Sequence, residues 1–205
     1  MKHLVSLLAL ALATGAAAAP SHWEIDPAHA TVGFSIRHMM VSNVGGAFSK
    51  FTGSVDVDPA DPTTATVKAD IDTASINTGN EKRDGHLRSP DFFDAAKFPT
   101  ISFVSKKIEK NGDKLKVTGD LTMHGVTHEV ALDVDGPTDA VKDPMGHTRR
   151  GVSVSGKVNR KDWGLTWSKT MDGGGLVLGD EVKLNFELEL VEKPAGGDAS
   201  PSPAK

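Results

Sequence analysis

Residues 181–190 alternate without a break. Val182, Leu184, Phe186, Leu188 and Leu190 are apolar, while Glu181, Lys183, Asn185, Glu187 and Glu189 are polar. A period of two places every apolar side chain on one face of a strand. One dry face and one wet face are what an antiparallel sheet packed on a single side requires. Shorter stripes of the same kind are Val32-Phe34-Ile36, Ala65-Val67-Ala69-Ile71 and Val152-Val154-Gly156-Val158. The pattern predicts an all-β chain of eight or nine strands.

One register follows from arithmetic. If His124-Gly125 is a two-residue turn, with glycine supplying positive φ, then Met123 faces Val126, Leu121 faces His128, Gly119 faces Val130, Val117 faces Leu132 and Leu115 faces Val134. All but His128 are apolar or glycine and share a face. A slip of one residue would turn that whole set to water. A second hairpin is marked by Asn111-Gly112. There the apolar residues Ile101, Phe103, Val104 and Ile108 change face, which predicts a bulge.

Two stretches interrupt the strands. Residues 80–99 read as short helix, with Asn80 as an N-cap and Ser89-Pro90 as a second N-cap followed by proline. Residues 162–179 read as a long loop carrying Trp163, Trp167 and a flexible Gly173-Gly174-Gly175 linker, and loops of that length are often functional. From Pro194 the chain is too rich in Pro, Gly, Ala and Ser to fold, so 194–205 is expected to be a disordered tail.

The N-terminus carries an address. Lys2 precedes an apolar run over 4–14, and small residues follow at 16–19. That is the order of a secretory signal, and its run of 11 residues is well short of the ~20 that span a bilayer. Residues 1–19 are expected to be removed, leaving a barrel domain over 20–193 in the periplasm with no membrane anchor. The chain carries a net charge of −4, which gives no bulk attraction for nucleic acid or an anionic surface. It has no cysteine, which excludes a thiol nucleophile, a thiolate metal site and disulfide support.

Catalytic signatures are sparse. Asp84 and His86 resemble an acid–base pair, but their place in a capped insertion points to a structural tie. His124 sits in a turn while His128 faces inward, so the two do not converge on a metal. No phosphate-cradling or nucleophile-elbow glycine motif follows a strand and opens a helix. The reading is no enzyme, no metal and no cofactor.

Several segments together resemble the YceI-like family of periplasmic proteins. They are Trp23-Glu24-Ile25-Asp26, Val32-Gly33-Phe34-Ser35-Ile36-Arg37-His38, Val44-Gly45-Gly46-Ala47-Phe48 with Phe51-Thr52-Gly53, Ser75-Ile76-Asn77-Thr78-Gly79, and the stretch from Arg83-Asp84-Gly85-His86 to Phe92-Phe93-Asp94. Later ones are Gly119-Asp120-Leu121-Thr122-Met123-His124-Gly125, Arg160-Lys161-Asp162-Trp163-Gly164 and Leu178-Gly179-Asp180-Glu181-Val182. Trp163 stands where the family usually has phenylalanine, and Ala30 where serine is usual.

The resemblance implies a single antiparallel lipocalin-like barrel of about eight strands with a short helical insertion. It also implies a long-chain isoprenoid lipid or quinone as partner. The residues alone leave open whether such an interior is filled or hollow, although the small inward residues Ala65, Ala69, Gly119 and Gly156 suggest spare volume. The expected lipid-binding interior is Phe34, Ile36, Val67, Ala69, Ile71, Phe103, Leu121, Val130, Leu132, Val154, Leu184 and Phe186. Phe92, Phe93, Phe98, Trp163 and Trp167 are expected at the mouth, with Arg83, His86, Arg88 and Lys161 placed to meet a head group. An isoprenoid-modifying enzyme and a cargo-free structural barrel stay as alternatives, as does a second copy of the chain as partner.

Overall fold

A computed structural model describes residues 20–194; the expected signal peptide and all of the expected tail beyond Pro194 lie outside them. The described chain forms β1 (Ser21–Ile25), β2 (Thr31–His38), β3 (Ser42–Phe48), β4 (Phe51–Asp58), β5 (Asp61–Asp72), β6 (Ile76–Asn77), helix α1 (Glu81–Arg88), β7 (Thr100–Asn111), β8 (Lys114–Met123), β9 (Val126–Asp135), β10 (Val141–Lys142), β11 (Thr148–Asn159) and β12 (Leu178–Lys193). The alternating segment read first from the sequence is the core of β12, the longest strand at 16 residues. One of its edges pairs with β11 from Glu181 to Val191. The other edge is shared: β2 takes Leu178 to Glu187, and β1 takes Leu190 to Lys193.

The circuit β12-β1-β4-β5-β7-β8-β9-β11 returns to β12, so eight antiparallel strands close a barrel. β2, β3 and β6 extend its wall at one end. Polar residues such as Lys68, Asp70, Lys183 and Glu187 face outward and are exposed. An apolar inside and a polar outside are the reverse of a bilayer-spanning barrel. No helix of the described residues is long and apolar enough to cross a membrane.

All five pairs expected for the β8–β9 hairpin are present, and His124 and Gly125 both have positive φ, 52° and 75°. The β7 bulge lies between Ser105 and Lys107, where Ser105 Oγ accepts the Val67 N–H at 2.8 Å. Three expectations change. Asn111 pairs with Lys114, so the second turn is Gly112-Asp113. Ser89 ends α1 instead of starting a helix, because the residue before Pro90 is held extended, at ψ 169°. The three glycines form the tip of a turn closed by a Thr170–Leu176 bridge.

Small inward residues serve as sockets for large ones. A Cβ on Gly119 would meet the Phe103 ring at 2.5 Å, one on Gly156 the Leu132 δ-carbon at 2.6 Å, and one on Gly53 the Ile25 δ-carbon at 2.5 Å. Gly119 and Gly156 therefore contribute complementarity, not the free volume expected of them, and Gly53 does the same. The interior divides into two clusters. Ile108, Val117 and Val134, with Ala65, Val67 and Val154, fill one end. A larger cluster including Phe48, Ile101, Met123 and Trp163 occupies the other, and Phe103 and Val154 touch both.

Arg149 staples the filled end. Its guanidinium lies 2.7 Å from Asp26, 2.7 Å from Asp143 and 2.5 Å from Glu189. Its hydrogen bond, with others from His29 and the Ala28 N–H, holds the Asp26 carboxyl at about 2 instead of its ordinary 3.8. Asp143 is lowered too, chiefly by Arg149. A carboxyl depressed in the folded state stabilises the fold above its unfolded pKa and loses that contribution as pH falls through its folded pKa. Thermal melts should therefore show an acid loss between pH about 4 and about 2 that Arg149→Gln flattens; equal slopes would refute the account.

Candidate functional site

The large cluster is not solid. It surrounds a cavity of about 290 Å³, at the lower end of the range for small-molecule sites. Strand ends supply its wall: Phe34 and Ile36 from β2, Val44 and Phe48 from β3, Ile71 from β5, Leu121 from β8, and Val182, Leu184 and Phe186 from β12. The insertion over 73–99 supplies the cover. Its ends are joined where the Thr73 N–H donates to the Pro99 carbonyl at 2.9 Å. Helix α1 starts at Asn80, whose side chain accepts the Arg83 N–H at 3.0 Å, and the helix brings Arg83, His86 and Leu87 to the cavity, with Phe92 and Phe93 after it. Phe93 meets Phe48 edge-on at 6.0 Å.

Apart from Arg160, the polar side chains of the lining reach solvent. Arg83 is exposed, and His38, Thr78 and His86 are half-buried. Arg83 donates from Nε to Thr78 Oγ1 at 2.7 Å and from Nη2 to the Thr78 carbonyl at 2.8 Å, which uses two of its five N–H groups. Thr78 in turn donates its backbone N–H and its hydroxyl to the buried carboxylate of Asp84, at 2.9 and 2.5 Å. His86 does not pair with Asp84: its Nε2 lies 2.8 Å from Asp91, and its ring stands edge-on to Phe92 and Trp167 at 5.0 and 5.1 Å. Both hydrogen-bonded pairs brace the cover from within, and of the two residues His86 alone reaches outside it, through its ring, to Trp167.

Arg160 is the charged residue of the lining that sequence reasoning missed. It is 3 % exposed. Nε donates to the Gly179 carbonyl at 2.8 Å, Nη1 to the carbonyls of Trp167 (2.8 Å) and Leu165, and Nη2 to Asp180 at 3.1 Å. Burial pulls its guanidinium below the ordinary value, and Asp180 opposes that shift. The side chain fastens the loop over 164–179 to the barrel, and so sets Leu165, Trp167, Val177 and Leu178 against the cavity.

The expected residues separate into two groups. Phe34, Ile36, Ile71, Phe92, Phe93, Leu121, Trp167, Leu184, Phe186, Arg83 and His86 line the cavity. The others do not. Val67 belongs to the filled end, with Phe103 and Val154 at the junction, and Ala69 sits between Gly53 and Phe103 in the register. Val130 and Leu132 are buried in the large cluster without reaching the cavity. Phe98 covers the β8–β9 turn, 4.6 Å from the His124 ring. Arg88 donates to the carbonyls of Ala74 and Ile76 at 2.7 and 2.8 Å, and Lys161 lies 2.8 Å from Asp180. Neither cation is turned to the cavity.

Trp163 seals a seam. β9 and β11 share only three pairs, from Asp133–Ser155 to Asp135–Ser153, and the turn Arg160–Trp163 follows β11 toward β9. Trp163 is 2 % exposed and donates its indole N–H to the Leu121 carbonyl at 3.1 Å, a bond that the phenylalanine usual in the family cannot make. His124 and His128 reach the carbonyls of Trp163 and Asp162, each at 3.0 Å. His128 stands opposite Leu121 on the inward face, as expected, where it packs on Trp163 while remaining open to solvent. Among the described residues, metal-ligand atoms converge at Asp26, His29 and Glu189. Arg149 already neutralises both carboxylates there.

Comparisons with known proteins agree with this architecture. The YceI-like domain pattern matches residues 23–190. The UPF0312 protein SAS2572 of Staphylococcus aureus is 39 % identical over 171 residues, which cover 83 % of this chain and 97 % of that protein. A Campylobacter jejuni YCEI protein crystal structure superposes with a TM-score of 0.67 at 37 % identity, over 77 % of this chain and 90 % of its own. Burkholderia cenocepacia BcnA gives 0.68 at 26 % identity, over 80 % and 98 %. A polyisoprenoid binding domain from Saccharophagus degradans shares the fold at TM-score 0.58 and 16 % identity, over 83 % and 98 %. With its closed eight-strand barrel, its capped insertion and a match over nearly all of the described residues, the chain belongs to the YceI-like family.

Proposed function

We propose that this protein is an exported carrier that holds the tail of a long-chain isoprenoid lipid or quinone in the barrel cavity. The observation that carries the reading is the cavity itself: a mostly apolar lining whose one buried charge, Arg160, is spent on carbonyls and Asp180, with the other polar side chains reaching solvent, inside a barrel whose outer face is polar. Such a site suits an amphiphile, tail inward and head toward His38, Arg83 and His86. Thr78 fixes the Arg83 guanidinium and leaves other donors free for an anionic or carbonyl oxygen.

Apolar burial alone supplies enough affinity. Each buried methylene contributes about 0.8 kcal/mol, so ten carbons give about 8 kcal/mol gross, the scale of a micromolar complex before the ordering costs of association. The Saccharophagus protein supports the reading as an instance of this fold in a domain that binds polyisoprenoids. The activity is binding, without turnover.

Native mass spectrometry of protein purified from its own host is expected to show an adduct of lipid mass that denaturation or organic solvent releases. Repeated preparations that carry no adduct would refute the carrier reading and favour a barrel without cargo.

A further inference from the structure

The loops beside the cavity mouth carry apolar side chains into water. Met39, Met40 and Val41, in the turn between β2 and β3, are 44, 60 and 75 % exposed, and Leu176 is 36 % exposed. The two loops form one tip: the Met39 N–H donates to the Val177 carbonyl at 2.8 Å, and a Cβ on Gly175 would lie 3.8 Å from Met40 Cγ and 3.3 Å from the Met171 methyl. His38 and Val177, immediately beside these residues in the chain, line the cavity.

The turn is built against local preference. The Val41 N–H closes on the His38 carbonyl at 3.1 Å, and the two residues between them, Met39 and Met40, have φ of 49° and 62°. Asn-Gly is the pair favoured where both central residues of a hairpin turn have positive φ, and residues with a Cβ other than Asn and Asp are disfavoured there. Two methionines are thus held in a backbone that suits neither of them, and are exposed as well. The Arg37 guanidinium, 2.8 Å from the Met40 carbonyl, and the Met39–Val177 bond hold the backbone, but packing inside the protein does not explain the exposure of the side chains. An apolar phase outside it does, and methionine's flexible thioether adapts to an irregular one.

Resting on the carrier reading, we infer that this tip docks the cavity mouth onto a phospholipid bilayer, so that lipid passes between membrane and barrel without crossing water. Charge favours that occupant. Arg37 and Lys169 flank the tip against the single acid Asp172, in a chain whose net charge is −4, and basic residues beside an apolar tip add attraction to anionic lipid. Val141 and Met145 are also exposed, but they belong to the far end, where β10 meets the start of β11, and they serve as the internal control.

The chain has no cysteine, so single labels are clean. Val41→Cys and Met145→Cys, each carrying an environment-sensitive nitrobenzoxadiazole dye, are mixed with phosphatidylethanolamine–phosphatidylglycerol vesicles that contain no isoprenoid. The label at 41 is expected to shift to the blue and to be quenched by nitroxide lipids, with no change at 145. No response at 41, or an equal one at 145, overturns the proposal; self-association of the tip or capture by another protein would give the first of these. Replacing both methionines, Met39→Asn with Met40→Gly, is expected to lower vesicle partition at least about tenfold while the melting temperature holds or rises. Undiminished partition of that variant also overturns docking. Val182→Phe, which narrows the cavity, should still dock. Docking without cargo therefore sinks only the carrier reading, and cargo without docking only this one.

Discussion

Arg160→Met is expected to cost about 3–5 kcal/mol of stability, the range for removing one partner of a buried charge network. The methionine replaces the apolar stem but none of the four hydrogen bonds. The carbonyls of Leu165, Trp167 and Gly179 lose their donor, and a buried acceptor left unmade costs about 1–3 kcal/mol. Asp180 is 32 % exposed and keeps Lys161 as a partner, so its carboxylate contributes little to the loss. Arg160→Lys should recover only part of it, because an ammonium offers three donors without the planar fork. Denaturant unfolding of both variants measures the effect. A loss below about 1 kcal/mol for the methionine variant would show that the loop over 164–179 is held by its apolar contacts alone.

Val182→Phe is expected to lower bound lipid at least about tenfold while leaving the lipid-free fold intact. Val182 lies between Val158 and Ile36 in the register and faces the cavity. A larger ring there enters free volume, and its added apolar burial offsets the cost of ordering it. Ten carbons displaced at about 0.8 kcal/mol each would be more than enough, so even partial exclusion of the tail meets the tenfold mark, about 1.4 kcal/mol. Ala69→Phe is the contrasting case. Its neighbours in the register are Phe103 and Gly53, and the Gly53 socket already holds Ile25, so overpacking should cost about 1–3 kcal/mol. Melting curves of delipidated protein, paired with extraction of the lipid from untreated protein, separate the two. Equal destabilisation by both rings would mean that the space at Val182 is already filled.

Much of this architecture is legible in the sequence, because a period of two is local information. The stripe on β12, the β8–β9 register, the β7 bulge and the Asn80 cap each follow from neighbours a few residues apart. The cavity is legible only in part, because inward-facing and cavity-facing are different properties. Phe34 and Val67 both sit on apolar stripes, yet one lines the cavity and the other the filled end; which layer a residue occupies depends on strand stagger, which no single stripe encodes. Val44 and Phe48 also alternate, in a strand whose glycines weaken the signal. Arg160 gives no local hint at all, since its burial arises from carbonyls contributed by a loop that folds back 5 to 19 residues later. The small residues were informative for another reason than free space: Gly119 and Gly156 record where a large neighbour lies.

The junction at Phe103 makes the barrel a depth gauge. Inward positions on an antiparallel strand recur about every 6.8 Å, so the rung at which the filled end begins, marked by Phe103, sets how deep the cavity can reach. Shifting the contact of the Phe103 ring with Gly119 one rung toward the filled end would deepen the chamber by about that amount and leave the rim untouched; shifting it toward the mouth would shorten it equally. On the proposed carrier reading, a barrel of this kind can therefore keep its rim chemistry and change the tail length it accepts through an exchange of one large and one small side chain across β7 and β8.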